Sequence, residues 1–106
     1  MGIPAQFNKD GVLDPGTYDA TILEIKNSIL VRGCGSPNWD SQWRRLLVDN
    51  AAVLIDQLWK VGITDIYLDG SFVEDKDHPN DIDGYFDPHL SLYDKNDSDK
   101  FAQIVS

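Results

Sequence analysis

Gly70-Ser71 and Asp81-Ile82-Asp83 are the residues of this chain whose types and spacing best suit chemistry. A glycine and a small hydroxyl residue directly after a strand-like run let backbone amides approach a phosphate with no Cβ in the way. Two carboxylates separated by one residue on a strand project to the same face, where they would share a metal ion. Asp81 lies ten residues beyond Ser71, so a close approach of the two strands would set phosphate cradle and metal ligands side by side. Phosphoryl and nucleotidyl transfer need such a site, because their barrier lies in charge and positioning. Magnesium would neutralise the phosphates and orient the leaving group.

The elements around these residues follow from pattern. Ile63 to Leu68 is rich in branched apolar residues and reads as a buried strand broken by Asp69-Gly70-Ser71. Pro79 forbids a helix through the spacer, and Asp81 to Phe86 reads as a second strand closed by Pro88. Upstream, Ser36 suits an N-cap and Pro37 the first helical position, with Gly62 as the C-terminal stop. Between them Trp39, Trp43, Leu46, Leu47, Ala51, Leu54, Ile55 and Leu58 recur at three- and four-residue steps, an apolar stripe for core packing. Arg44 and Arg45 read as exposed helix arginines within reach of a phosphate. Thr21 to Val31 reads as one short helix, and Phe7 to Tyr18 as turns from which Val12 and Leu13 drop into the core. At the far end, His89 to Tyr93 extends the chain, and Asp97-Ser98 reads as the cap of a last helix from Asp99 to Val105.

The 106 residues fit one domain: a turn-rich segment over 1–35, a helix over 37–61, the motif core over 63–87 and a C-terminal segment over 88–106. Cys34 is the single cysteine, so an internal disulfide is impossible and a thiolate zinc site is not expected. No apolar run approaches the roughly 20 residues that cross a bilayer. The expectation is a soluble, cytoplasmic protein without a membrane partner. The net charge of −9 argues against an extended nucleic-acid surface, which needs a clustered basic face. From Asp69 to Asp99 ten acidic residues stand against Lys76 and Lys95, a patch suited to a divalent cation or a basic protein partner. Asp75 to Gly84 is not an EF-hand, since Pro79 falls where its first aspartate belongs.

Gly70-Ser71, a spacer, and then Asp81-Ile82-Asp83 resembles the GS…DxD signature of the DNA polymerase β-like nucleotidyltransferase superfamily, and of its minimal nucleotidyltransferases in particular. Phe7 to Gly16, Ala20-Thr21 and Leu68 to Val73 resemble an uncharacterised small bacterial or phage subgroup of these proteins. The resemblance spans roughly 7–85 and implies an α/β fold of the mixed α+β kind, a short mixed sheet with packed helices on one side, in shortened form. It implies that Gly70 and Ser71 bind the nucleotide phosphates and that Asp81 and Asp83 hold Mg2+ and act in catalysis. Lys76 would stand in for a spacer arginine that many active relatives carry. The implied activity is transfer of a nucleotide from a nucleoside triphosphate to a protein or RNA, in a toxin–antitoxin or phage-defence setting. Active members also carry a third carboxylate on a later strand. The later acids Asp87, Asp94, Asp97 and Asp99 show no strand pattern. The alternative is an inactive nucleotidyltransferase-like antitoxin, inhibitor or anti-defence factor that turns an acidic face to a basic partner.

Overall fold

The computed structural model describes residues 2–90 and 100–106. Its elements are β1 (Thr17–Thr21), α1 (Ile22–Lys26), α2 (Ile29–Arg32), α3 (Ser41–Lys60), β2 (Ile66–Asp69), a 3-10 turn (Ser71–Val73), β3 (Asp83–Phe86) and β4 (Phe101–Val105). The four strands form one mixed sheet in the order β1-β4-β2-β3. β4 runs antiparallel to β1 and parallel to β2, while β2 and β3 are antiparallel. This is the mixed α+β fold expected, with helices packed on one face of the sheet.

Alternation along the strands decides which face is which. Ala20, Ile66, Leu68, Ala102 and Ile104 are buried and meet Ile55 and Trp59 of α3 and Ile25 and Leu30 of the short helices in one core. Leu13 joins that core with no exposed surface. By register, Asp19, Gln103, Tyr67 and Tyr85 stand across the opposite face, with Asp69 and Asp83 one step along it. No helix among the described residues covers that side.

Several boundaries differ from the pattern-based expectation, each for a local reason. The predicted helix over 21–31 is two helices. Ser28 breaks it by donating its hydroxyl to the Ile25 carbonyl (2.7 Å) and accepting from the Leu30 amide (3.2 Å), the local side-chain competition typical of serine. Thr21 ends β1 and caps α1 in a capping box with Glu24. The long helix begins at Ser41 under an Asp40 cap, not at Pro37. Asp40 accepts from the Trp43 amide, whereas the Ser36 hydroxyl is committed to Asp77. The helix expected over 99–105 is the strand β4 from Phe101 to Val105. Asp94, Asp97, Asp99 and residues 91–93 lie outside the described residues.

Candidate functional site

β2 ends at Asp69, and the chain then turns through Gly70 into Ser71–Val73. Gly70 takes φ 85° and ψ −160°, a combination accessible essentially to glycine alone. A Cβ there would clash with the Asp83 carboxylate. The missing side chain therefore lets the Asp83 carboxylate settle over the backbone of the turn. Asp83 is also the register partner of Asp69, and residues so paired carry their Cβ atoms about 4.5–5.5 Å apart. Two exposed carboxylates thus flank Gly70 on the open face of the sheet. Asp69 Oδ1 accepts from the Gly70 amide at 2.7 Å, so that amide is committed to a carboxylate.

Ser71 lines a shallow depression of about 370 Å³ with Asp69, Gly70, Glu74, Leu13, Pro15 and Ser106. Two acids in its wall repel a bare phosphate, so a phosphate would enter only with its cation. The donor set suits magnesium: hard carboxylate oxygens in a pair, with positions left for water and phosphate oxygens. Among the described residues, no three His, Cys, Asp or Glu side chains converge as a metal cage.

The remaining sequence-predicted residues are placed differently. Asp81 precedes the strand and borders a groove on the helix side, with Leu47, Ala51 and Leu54 of α3. Asp81 and Asp83 are therefore not two consecutive same-face positions of one strand, since β3 begins only at Asp83. Lys76 has an exposed side chain in the spacer, and its carbonyl is held by Arg44. Cys34 is exposed.

Arg44, expected to be exposed, is fully buried. All five of its N–H donors are used. Nη1 donates to the carbonyls of Leu30 (2.7 Å) and Phe72 (2.6 Å), Nη2 to Glu74 (2.8 Å) and Lys76 (2.6 Å), and Nε to Lys76 (3.2 Å). Its guanidinium lies 3.9 Å from the centre of the Trp39 ring, a favourable cation–π placement. Burial pushes the group down to about 10, partly offset by Asp75 and Asp77, so it keeps its charge at neutral pH. Arg44 thus fastens the spacer that follows Ser71 to the start of α3. The same docking is extended by Trp43 Nε1, which donates to the Pro79 carbonyl, and by the Asp40 amide, which donates to Asp77 O at 3.0 Å. His78 stacks on Trp43 and bonds Asp40 at 3.0 Å. The Trp43 amide and then His78 hold the Asp40 carboxyl below its ordinary range. The strand carrying Asp83 leaves from this anchored loop.

Pattern reading missed two residues here. Asp69 was visible as the acid before Gly70, yet only the strand register shows what it opposes. Arg44 offered the weak signal of an arginine one residue after a tryptophan inside an apolar stripe.

No helix of the described residues is long and apolar enough to cross a membrane. Residues 5–105 match the model of a family of unknown function, DUF6932, and the chain belongs to that family. No curated protein and no solved structure matches it.

Proposed function

We propose that this member of DUF6932 binds a nucleoside triphosphate as its magnesium complex on the open face of the sheet, as a nucleotidyltransferase-like domain of the cytoplasm. The observation that carries the reading is the seating of the Asp83 carboxylate over Gly70, opposite Asp69. Asp83 and Asp69 hold the cation, and Gly70 and Ser71 give the phosphates room to approach. The motif resemblance assigns Asp81 beside Asp83; the geometry favours Asp69 in that role. Bound magnesium would supply charge neutralisation of the triphosphate. Lys76 lies in the anchored spacer, so its part is limited to long-range attraction of the phosphates. The full activity of this reading is nucleotide transfer to a protein or RNA hydroxyl in a toxin–antitoxin or phage-defence setting. Melting the protein with each nucleoside triphosphate, with and without Mg2+, tests the binding. At a hundred times Kd a ligand stabilises by about 2.7 kcal/mol. A curve unmoved by all four triphosphates in magnesium sinks the reading.

A second reading is favoured by β4. It is the later strand next to β2, and its residues alternate between the buried Ala102 and Ile104 and the half-buried Phe101, Gln103 and Val105. None of these is an acid, so β4 supplies no carboxylate to activate an attacking hydroxyl. On this reading the chain is an inactive nucleotidyltransferase-like antitoxin, inhibitor or anti-defence factor, and its acidic surface meets a basic protein. Recovery of a stoichiometric basic partner that high salt removes is the expected result. A clean monomer from native lysate counts against it.

A further inference from the structure

A groove of about 710 Å³ runs between α3 and β3 on the helix side of the sheet, across the layer from Gly70 and Asp83. Its α3 wall is Leu47, Ala51, Leu54 and Leu58; Leu68 and Phe86 form the opposite wall. Gly84 puts no side chain on this face, which leaves the groove open where a packed residue would close it. Leu54 is 54% exposed and Phe86 45% exposed. All four residues of β3 are exposed, and β3 is the edge of the sheet. A groove of this kind normally takes an apolar partner.

Charge selects the occupant. Among the described residues, Asp81 is the only charged one lining the groove. Asp87 follows Phe86 at the end of the opposite wall, and from Asp81 to Leu90 the chain carries no lysine or arginine. A second copy would set these acids, and a net charge of −9, against themselves, a like-charge contact that opposes pairing. A basic partner meets them favourably. Leu47 to Leu58 spans about three helical turns, close to 16 Å, the reach of a short helix with apolar residues at three- and four-residue steps.

We infer that the groove between α3 and β3 docks a basic amphipathic helix of a partner protein, an inference that rests on the partner-binding reading above. The probes are two 14-residue labelled helical peptides with one apolar pattern, one with lysine and one with glutamate at the polar positions. Fluorescence anisotropy follows their binding to the wild-type chain, to Leu54→Asp and to Leu23→Asp. Leu23 is 68% exposed on α1, outside the groove, so its variant adds the same charge elsewhere. Both sites are exposed enough to change without unfolding the domain, which circular dichroism checks. The expected result is binding of the leucine–lysine peptide to wild type and Leu23→Asp alike. Leu54→Asp should bind it at least tenfold more weakly, although the added negative charge attracts lysine. The leucine–glutamate peptide should not bind. Equal or tighter binding by Leu54→Asp overturns the groove assignment and leaves the basic-partner reading standing. No binding of the lysine peptide to any form overturns the groove inference, and the partner reading then stands or falls on recovery of a basic partner that high salt removes. Equal binding of the two peptides overturns the charge argument. A dimer in light scattering that Leu54→Asp dissolves makes a second copy the occupant and overturns the inference.

Discussion

Arg44→Met removes the only fully buried cation among the described residues and leaves a side chain of similar length in its place. Five hydrogen bonds from the guanidinium reach the carbonyls of Leu30, Phe72, Glu74 and Lys76. At about 1.5–3 kcal/mol each for bonds to a charged group, they would total roughly 8–15 kcal/mol. That equals the entire stability of a typical domain, about 5–15 kcal/mol, so it cannot be the net effect. Burying the guanidinium costs several kcal/mol, and the substitution gives that back. Each of the four carbonyls left without a donor costs about 1–3 kcal/mol, and set against the returned desolvation this places Arg44→Met at a net loss of roughly 3–5 kcal/mol. For a domain of this size each kcal/mol shifts Tm by about 4–8 °C, so Tm should fall by at least about 12 °C. Urea and thermal melts followed by circular dichroism read the loss. Arg44→Lys keeps the charge but cannot span four carbonyls, and should fall between wild type and Arg44→Met. A loss below about 1 kcal/mol for Arg44→Met, or a lysine variant as stable as wild type, would refute the view that Arg44 anchors the spacer.

Three other changes follow from the structure. Gly70→Ala must leave the glycine-only backbone region and displace Asp83; a loss of about 1–3 kcal/mol is expected, together with weaker Mg2+ binding, and a variant of unchanged stability and affinity would contradict the close approach. Thr64 is buried, and its hydroxyl has no partner among the described residues. Thr64→Val should therefore raise stability by about 1 kcal/mol in urea melts, and a clear loss would show that the hydroxyl is bonded. His89 Nδ1 lies 2.6 Å from Asp87 and its Nε2 2.9 Å from Asp65, and these carboxylates, Asp87 first, raise its pKa above 6.5. The contact contributes fully below the unfolded pKa of histidine and is lost as pH rises through the higher folded value. The paired Asp87 is held low, chiefly by His89, so its share is present above the usual carboxylate range and lost as pH falls through the folded value. NMR titration should place the His89 midpoint above 6.5, and Asp87→Asn should lower it; a midpoint at or below 6.5 would exclude the clamp.

How much was legible in the sequence differs from element to element. β2 and the turn at Gly70 were readable, because a branched apolar run ending at a glycine and serine has few other solutions. β4 was misread: Phe101 to Val105 is too short for period alone to separate strand from helix, and Asp97-Ser98 offered a plausible cap. Its identity is decided by pairing with β1 and β2, distant in sequence. The start of α3 was misplaced because Ser36 has a tertiary partner in Asp77 that no local rule reveals. Long-range contacts also hid the chief parts of the site. Asp69 gains meaning only from its register with Asp83, and Arg44 only from three carbonyls about thirty residues downstream. Leu46 and Leu54, counted in the core stripe, are about half exposed, because the stripe is wider than the face the sheet covers.

The central claim is that the carboxylates flanking Gly70 bind a nucleoside triphosphate through magnesium. Isothermal titration of ATP into wild type, Asp83→Asn and Asp69→Asn, with and without Mg2+, tests it most directly. The account predicts binding by wild type only in magnesium, and at least a tenfold loss of affinity in each variant. Absence of binding by wild type, or undiminished binding by Asp83→Asn and Asp69→Asn, would contradict it.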